Sequence, residues 1–328
     1  MKATGQLLRR RGIIKGLYEN GISTTFINCG SGPDDIAVLK TNMSNIPPSD
    51  LTVTIIEGFE FACILNKYIS LENCLVDICD SRILLAAIDP KNRQNPVFRK
   101  FRKSLKLLRN GLRLRSLSMQ SQGLIYISPR DSFFDRRYLS KLSKVYILSN
   151  GVQQASGNGI SFDPEGDFLV TGNWAYAPNL EMLDRSIGIL TNETLRKGRT
   201  LNVVGPNLDI SRFESRSWIR YLGWVENASD IYRGIFGLLA PIEQGGGVKN
   251  KVLEAIAHGI PVFGSSEAFA SIPHELLSGS YSIEDLSTFS ETLTVSLDGV
   301  RERLEDCVRR SATYSWKNAV GDFLKDMH

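Results

Sequence analysis

Histidine, paired cysteine and long apolar runs are all scarce in this chain. Its 328 residues include three histidines, none at the spacing of a zinc-binding pair, which argues against a structural zinc site. The five cysteines are odd in number and form no C-x-x-C pair, so we expect free thiols rather than a disulfide framework. No stretch reaches the roughly 18 consecutive apolar residues that a membrane-spanning helix needs. The sequence therefore predicts neither a metal-dependent module, nor a disulfide-rich domain, nor an integral membrane protein.

A secretory signal is also missing from the start of the sequence. Residues 1–12 carry three consecutive arginines without an apolar core or a cleavage site, so we expect a cytoplasmic protein. With 42% hydrophobic and 23% charged residues the composition is that of a globular protein, and the length allows two domains, each with its own core. The net charge of +4 is mild, and we predict no nucleic-acid partner.

Acidic residues are absent between Asp89 and Asp131, where residues 98–115 are rich in lysine and arginine. Apolar residues in that segment recur at steps of three and four and predict a stripe along a basic helix. The stripe consists of Phe98, Phe101, Leu105, Leu108 and Leu112. In the interpretation that we adopt, the stripe packs on the N-terminal sheet and the charges form a solvated face. The alternative that stays open is peripheral contact with an anionic bilayer, in which each cation near the surface contributes on the order of 1 kcal/mol.

A glycine-rich segment at residues 241–264 is the most informative part of the sequence. Residues 234–240 form a short apolar run typical of a buried strand, and three consecutive glycines follow at 245–247. Apolar residues at helical spacing then predict a helix that ends at Gly259, before another short strand. This β-loop-α-β unit is typical of a parallel sheet. A loop without side chains in front of a helix N-terminus favours phosphate, because backbone N–H groups approach the anion closely.

Charged residues just after the glycines support that interpretation. Lys249 and Lys251 stand at the junction of loop and helix, where a diphosphate would lie. Glu254 lies about one turn further and is a candidate acceptor for the hydroxyls of a ribose. The alternative is a tight turn with solvated lysines and an exposed glutamate. From these residues alone both interpretations stay open.

Residues 241–264 resemble the donor-site signature of retaining GT-B glycosyltransferases, the family 4-like enzymes also called glycosyl transferases group 1. In that signature a proline-led glycine loop precedes a helix with lysine and glutamate and then a G-x-P-V strand. The resemblance places the diphosphate contacts on Gly246, Gly247 and Lys251, and the ribose-binding acid on Glu254. Many members have an acid where this chain has Gly246, so the chain resembles the GGG-x-K variant and the role of that acid is not carried over. The donor-binding residues implied here are Gly245, Gly246, Gly247, Val248, Lys249, Lys251 and Glu254.

Two other segments of the second half resemble the nucleotide lobe of this family. Residues 172–179 are similar to its G-x-x-x-x-x-P-N first loop, which lies near the phosphates or the sugar. Residues 219–225 are similar to its L-G-x-V edge, which lies beside the nucleobase. The contacts implied are Gly172, Asn173, Gly223, Trp224 and Val225. For Trp224, stacking on the base and burial in the core are both open.

Asp80 is a candidate for the acceptor side. It follows a predicted strand at residues 74–79, and ligands of parallel sheets bind beyond the carboxyl ends of the strands. There Asp80 is a candidate acceptor-binding residue or general base. The alternative is that Asp80 caps the helix that begins near Ile83.

Two other acceptor-side residues come from the resemblance. Residues 128–131 resemble the S-x-R-D corner of the family, in which Arg130 or Asp131 either faces the cleft or serves as a turn or cap. Gly5 falls in the first loop of the lobe, before the helix predicted from Leu7. The short strand that precedes this loop in the family has no counterpart in the sequence, which puts the contacts of Gly5 in question.

These segments together predict an α/β protein of the GT-B fold, with two Rossmann-like domains facing across a cleft. We expect an acceptor-side domain at residues 1–153, a nucleotide-sugar domain at 154–312, and a C-terminal helix at 313–328 that crosses back to the first domain. The resemblance implies a glycosyltransferase that moves a sugar from a nucleoside-diphosphate sugar to a hydroxyl of a sugar or a lipid-linked acceptor. It implies retention of configuration, no metal and no cofactor besides the donor, and a place in polysaccharide or glycolipid synthesis. The catalytic residues implied are Lys251, Glu254 and Asp80.

Two alternatives to a glycosyltransferase remain at this stage. A nucleotide-sugar epimerase or hydrolase of the same fold would turn over the donor without an acceptor. A non-catalytic sugar-nucleotide-binding subunit would bind the nucleotide without turnover, and the missing first strand and Gly246 favour it.

Overall fold

The computed structural model describes residues 5–24, 53–87, 96–153, 160–213, 216–225 and 228–327. The strand predicted at 24–28 and the hinge predicted at 153–159 lie outside these ranges, except for Thr24 and Gln153. The strands are β1 (Thr54–Glu57), β2 (Leu71–Cys79), β3 (Ser121–Tyr126), β4 (Val145–Ile147), β5 (Phe162–Thr171), β6 (Leu201–Val204), β7 (Ile219–Gly223), β8 (Ile235–Ala240), β9 (Val262–Gly264) and β10 (Ser280–Ser282).

Helices alternate with most of these strands, as parallel pairing requires. They are α1 (Gly5–Glu19), α2 (Phe59–Leu65), α3 (Arg82–Ala87), α4 (Pro96–Gln120), α5 (Pro129–Asp135), α6 (Ala177–Leu190), α7 (Glu193–Arg196), α8 (Ala228–Tyr232), α9 (Asn250–Ala257), α10 (Ser266–Phe269), α11 (Leu286–Val295), α12 (Leu297–Ser311) and α13 (Trp316–Met327). Short 3-10 turns lie at Arg136–Tyr138, Ile210–Phe213, His274–Gly279, Ile283–Asp285 and Ala312–Tyr314.

The chain divides into two compact units. One, here called the N-terminal unit, consists of Arg11–Ser149 and Ala319–His328. The other, the C-terminal unit, consists of Met1–Arg10 and Asn150–Asn318. The divisions fall inside α1 and inside α13, so each of these helices contributes residues to both units.

The N-terminal unit is built on a parallel sheet with the strand order β1-β2-β3-β4. Helix α13 covers one side of this sheet, where Val320 and Phe323 pack with Leu75, Ile125 and Tyr146. The rings of Tyr146 and Phe323 meet edge to face with their centroids 6.0 Å apart. The end of the chain is therefore part of the core formed by its first half.

The C-terminal unit is built on a parallel sheet with the strand order β10-β9-β8-β5-β6-β7. Every residue of β8 is buried, which explains why residues 235–240 read as a continuous apolar run rather than an alternating one. The central pair of strands is β5 and β8. The apolar run of residues 168–171 predicts a strand there, and β5 begins six residues earlier, at Phe162. The pairing register of β5 with β8 shifts between Phe162 and Phe168, so this first part of the strand is irregular.

The prediction that Gly5 lies in a loop is wrong, because α1 begins at Gly5. Gln6 is a good helix former, and no proline stands at these positions to stop the helix, so the first turn extends to Gly5. The prediction that the stripe of residues 98–115 packs on the sheet is also wrong. Phe101 and Leu105 are exposed, and α4 packs on its core through Leu114 and Leu117 instead. None of the described helices is both long enough and apolar enough to span a bilayer.

Candidate active site

The strand order of the C-terminal unit places its candidate site. From β5 the chain builds outward through β6 and β7, then returns to the other side of β5 and builds through β8, β9 and β10. The direction of building therefore reverses between β5 and β8. In open parallel sheets a ligand-binding crevice lies at this point, beyond the carboxyl ends of the two strands. The loops that follow β5 and β8 are residues 172–176 and 241–249, the two segments singled out from the sequence.

The glycine loop after β8 is held by a lysine of its own. Gly247 has a φ of 68°, a left-handed conformation that favours glycine. The Nζ atom of Lys249 donates to the carbonyl of Gly246 at 2.9 Å and lies 3.5 Å from a carboxylate oxygen of Glu267. The Lys249 side chain therefore stabilises the conformation of the glycine loop, and the Glu267 carboxylate offsets the charge of its ammonium.

Lys251 lies in the first turn of α9, partly buried beside the loop after β5. Its Nζ donates to Oδ1 of Asn179 at 3.0 Å and lies 3.6 Å from Sδ of Met182. Burial lowers the pKa of Lys251 to about 7, against the opposing effect of the Glu254 carboxylate. Because burial destabilises the charge of the Lys251 ammonium, a bound anion would stabilise it, and this site is suited to an anion.

Glu254 stands one turn further along α9 and is held by an aromatic pair. The hydroxyl of Tyr232 donates to Oε2 of Glu254 at 3.2 Å. The Tyr232 ring is buried and stacks on the ring of His258, with the centroids 4.5 Å apart. Nδ1 of His258 lies 2.8 Å from the carbonyl oxygen of Glu254, which can only accept, so Nδ1 carries the proton. Burial raises the pKa of the Glu254 carboxyl, while the Tyr232 hydrogen bond acts in the opposite direction.

The loop after β5 reaches α9 through a chain of asparagine contacts. Oδ1 of Asn173 accepts from the backbone N–H of Ala175 at 3.1 Å, which closes a tight turn. Nδ2 of Asn179 donates to the carbonyl of Asn173 at 3.0 Å, and Oδ1 of the same Asn179 accepts from Lys251. Asn179 therefore connects the first loop of this unit to the lysine of the second.

Two glycines let the loops after β5 and β6 approach each other. Gly205 has a φ of 128°, and a Cβ atom there would lie 1.8 Å from the carbonyl oxygen of Gly172. A Cβ at Gly172 would in turn meet the side chain of Asn179 at 2.9 Å. A side chain at either position would push apart the loops that line the crevice.

The edge predicted to lie beside a nucleobase follows β7. Gly223 has a φ of 67°, and its carbonyl accepts from the N–H of Gly205 at 2.7 Å. Trp224 is 42% exposed, so the interpretation of Trp224 as a core residue is wrong. The buried tryptophan of this unit is Trp174, whereas Val225 packs partly against the core. An exposed indole at this edge is available for stacking.

The candidate acceptor residues of the N-terminal unit lie at the carboxyl edge of its own sheet. Asp80 follows β2 and Arg130 follows β3, and the two strands are neighbours. Oγ of Ser81 accepts from the N–H of Leu84 at 2.9 Å, so Ser81 caps α3 and the helix-cap interpretation of Asp80 is wrong. Asp131 is fully buried, and its Oδ1 accepts from the N–H of Ser81 at 2.8 Å. Asp131 thus joins the two loops.

Comparison with known proteins indicates the enzyme class of this protein. Residues 165–293 match the family described as Glycosyl transferases group 1. Residues 165–293 form a glycosyl transferases group 1 domain. The chain accordingly belongs to the transferase class of enzymes. No curated protein sequence is significantly similar to it.

Solved structures show that the fold is GT-B, with two Rossmann-like domains. Sucrose-phosphate synthase from Thermosynechococcus elongatus is 12% identical with a TM-score of 0.67, over 99% of this chain and 94% of that one. WaaG, a glycosyltransferase involved in lipopolysaccharide biosynthesis, is 14% identical with a TM-score of 0.64, over 98% and 97%. HepE from Anabaena, solved with UDP and glucose, is 12% identical with a TM-score of 0.65, over 99% and 96%.

Several residues of the group 1 domain site were not predicted from the sequence. Tyr232 and His258 hold Glu254 from a different helix and from the end of α9. Glu267 meets Lys249 from the helix after β9. Asn179 was part of a recognised motif, but its contact with Lys251 was not predicted. No local signal marks Tyr232, Asn179 or Glu267, because their contacts join segments that are distant in sequence. His258 lies only four residues after Glu254, at the end of the same helix.

A buried relay also leads to the start of α9 and was not predicted. Nη1 of Arg9 donates to Oδ1 of Asn150 at 2.8 Å, and Nδ2 of Asn150 donates to Oδ1 of Asn250 at 2.6 Å. Arg9 and Asn150 are both about nine-tenths or more buried. Asn150 thereby positions Asn250, the first residue of α9. Among the described residues, no group of three histidine, cysteine or acidic side chains is placed to hold a metal ion.

Proposed function

We propose that the protein transfers a sugar from a nucleoside-diphosphate sugar to an acceptor hydroxyl, with retention of configuration and without a metal. The observation that carries the proposal is the meeting of Lys251, the glycine loop and the loop after β5 at the point where the sheet reverses its direction of building. HepE, solved with UDP and glucose, supports a nucleotide sugar as the donor.

The chemistry of the leaving group matches this arrangement. A nucleoside diphosphate departs with added negative charge, and stabilising that charge is the main contribution that a positioned cation can make to the rate. We assign this role to Lys251, supported by the backbone N–H groups of Gly245, Gly246, Gly247 and Val248 and by the N-terminus of α9. Lys249 contributes less, because Glu267 at 3.5 Å offsets its charge and the Gly246 carbonyl holds its ammonium.

Glu254 is assigned to the ribose of the donor. The Tyr232 hydroxyl holds Oε2, and the other carboxylate oxygen is the acceptor that we assign to the ribose diol. We assign Gly172 and Asn173 to the sugar and phosphates of the donor, and Gly223, Trp224 and Val225 to its nucleobase. The exposed Trp224 ring stacks on the base in this proposal.

The acceptor side is assigned to the N-terminal unit. We assign to Asp80 the binding of the acceptor hydroxyl or the removal of its proton, and Arg130 lies in the first turn of α5, after the neighbouring strand β3. The resemblance also assigns Gly5, the first residue of α1, to the acceptor, although Gly5 belongs to the C-terminal unit. The acceptor is a sugar or a lipid-linked sugar in the cytoplasm, in polysaccharide or glycolipid synthesis. WaaG, which acts in lipopolysaccharide biosynthesis, supports that pathway class.

The first experiment measures nucleotide binding and donor turnover by the full chain. Titration calorimetry with UDP, GDP and ADP identifies the base, and donor turnover is then followed with and without a panel of sugar and lipid-linked acceptors. Lys251→Ala should lower turnover by on the order of 100- to 1000-fold with an unchanged melting midpoint, because it removes the main cation at the leaving group. Lys325→Ala, at an exposed site on α13, is the matched control and should leave the rate unchanged.

Three results would contradict the proposal. A near-normal rate in the Lys251→Ala variant would remove the catalytic assignment. Donor turnover without any acceptor would indicate a hydrolase or an epimerase. Nucleotide binding without turnover over a broad acceptor panel would indicate a binding subunit.

A further inference from the structure

Helix α4 (Pro96–Gln120) has two apolar faces, and one of them is exposed and outside the apolar core formed by the described residues of the N-terminal unit. The inner face packs through Leu107, Leu114 and Leu117 on the core of the N-terminal sheet. Between residues 101 and 112 the outer face carries four large apolar side chains that stay more than half exposed. They are Phe101 at 68%, Leu105 at 55%, Leu108 at 58% and Leu112 at 61%.

These four side chains form one continuous stripe. Their positions follow at steps of four, three and four, so at about 100° per residue they span roughly 60° of the helix circumference. Along the axis they cover about 17 Å, or three turns. Leu107 and Leu114 lie on the opposite side of the helix, so the stripe faces directly away from the core. Contiguous exposed apolar surface of this kind marks an interaction site.

Cations border the stripe on both sides. At the same angular step, Arg102 and Arg109 lie along one border and Arg115 along the other, and all three are exposed. The whole helix carries eight lysines and arginines and no acidic residue. Arg113 is compensated by Glu60 at 2.8 Å, on the side of the helix nearer the core. The outward surface of α4 is thus an apolar stripe with two arginines along one border and one arginine along the other.

We propose that the outer face of α4 binds an anionic phospholipid bilayer. The helix lies flat in the interface, with Phe101, Leu105, Leu108 and Leu112 at the acyl boundary and the arginines at the headgroup phosphates. Charge complementarity selects this partner, because an anionic lipid surface offers apolar depth beneath a continuous layer of negative charge. The binding goes beyond sugar transfer and does not depend on it, so either proposal can fail without the other.

The test is sedimentation of the full chain with lipid vesicles, one set of phosphatidylcholine and one with about one third phosphatidylglycerol. The wild-type protein should bind the anionic vesicles, and the affinity should fall as salt rises. Phe101→Gln/Leu105→Gln/Leu108→Gln should lower the affinity at least about tenfold, since the apolar insertion is lost. Glutamine is a good helix former, so α4 is retained. Arg102→Gln/Arg109→Gln/Arg115→Gln should lower the affinity by on the order of 100-fold.

Matched controls test whether binding depends on the side chains of α4 in particular or on any exposed apolar or cationic side chain of the protein. Leu142→Gln/Val295→Gln removes apolar side chains that are 94% and 87% exposed elsewhere. Lys15→Gln/Arg233→Gln/Lys325→Gln removes three exposed cations outside α4 and changes the net charge equally. Both controls should bind vesicles as the wild type does, and all variants should keep the nucleotide affinity and the melting midpoint of the wild type.

Several outcomes would overturn the proposal. One is a vesicle affinity of the triple variant Phe101→Gln/Leu105→Gln/Leu108→Gln, the stripe variant, that equals that of the wild type. Another is an equal loss of vesicle affinity in the control variants. A dimer in light scattering that the stripe variant dissociates would show that a second copy of the chain covers this face instead.

Discussion

At the scale of single residues, Lys251 carries the most chemistry. Its ammonium donates to the Asn179 side chain of α6, whereas the Lys249 ammonium donates to a carbonyl of its own loop and lies beside the Glu267 carboxylate. Burial lowers its pKa to about 7, so in the ligand-free protein the charge is lost near neutral pH. A bound diphosphate would favour the protonated form, because an opposite charge nearby stabilises the cation.

Nucleotide affinity should therefore fall as pH rises above about 7. The protonated lysine binds the diphosphate, and its fraction in the ligand-free protein falls about tenfold per pH unit once pH exceeds the pKa. We expect the Kd for the nucleoside diphosphate to rise by up to about tenfold per unit between roughly pH 7 and pH 9, with proton uptake on binding. Calorimetry in buffers of different ionisation enthalpy measures both quantities.

Lys251→Arg is the control for this pH dependence. Arginine keeps its charge throughout this range, so the variant should bind with a nearly constant Kd even where its longer side chain fits less well. A constant Kd for the wild type, or an equally steep change in the arginine variant, would show that another group titrates.

At the scale of elements, the crevice depends on loops that only glycine can form. Gly247 adopts a left-handed backbone conformation in the loop before α9, and Gly205 lets two loops cross at van der Waals distance. The amides of the glycine loop can surround an anion only while the backbone keeps this course. The loop and the first turn of α9 therefore act as one binding element.

Gly247→Ala should weaken nucleotide binding by about tenfold or more and cost on the order of 1–2 kcal/mol of stability. A Cβ atom strains the left-handed conformation at φ 68°, and the loop must shift to relieve the strain. Calorimetry and urea unfolding measure the two effects.

The matched control is Gly188→Ala on the exposed side of α6. A Cβ there would meet no atom within 4 Å, so the change should stabilise the protein by about 0.5–1 kcal/mol without altering the affinity. Unaltered nucleotide binding by Gly247→Ala would mean that the loop amides do not contact the diphosphate.

At the scale of the whole molecule, the two ends of the chain both take part in units built mainly from other segments. Arg9, from the first helix, belongs to the C-terminal unit and bonds to Asn150. Val320 and Phe323, from the last helix, belong to the core of the N-terminal unit. The stability of each unit therefore depends on residues at the opposite end of the sequence.

Phe323→Ala should destabilise the N-terminal unit by about 3–5 kcal/mol, the usual cost of removing a buried phenylalanine. The ring is 2% exposed and packs edge to face on Tyr146. Thermal unfolding should show a midpoint lower by several degrees. Lys325→Ala, two residues away at an exposed position, should stay within about 0.5 kcal/mol of the wild type. Equal midpoints for the two variants would contradict the proposed role of α13.

Local patterns in the sequence were sufficient to predict the strand, glycine loop and helix of residues 235–257 and the parallel sheets, whereas the class of the protein was predicted from the resemblance of residues 241–264 to a family signature. Each of these elements depends on the spacing of neighbouring residues: a buried strand needs an apolar run, a left-handed turn needs glycine, and a helix needs apolar residues at a period near 3.6. The assignments of individual site residues to donor and acceptor remain predictions that the experiments above test.

Only the tertiary structure decided which distant groups meet those segments. Asn179 and Tyr232 converge on α9 from other elements, and strand order, not local pattern, brings them there. It also decided which face of α4 is covered. Leu105 and Leu114 are equally apolar in the sequence, yet one faces outward and the other packs in the core. A periodic pattern shows that a helix has an apolar face, whereas the position of its neighbours determines whether that face is buried.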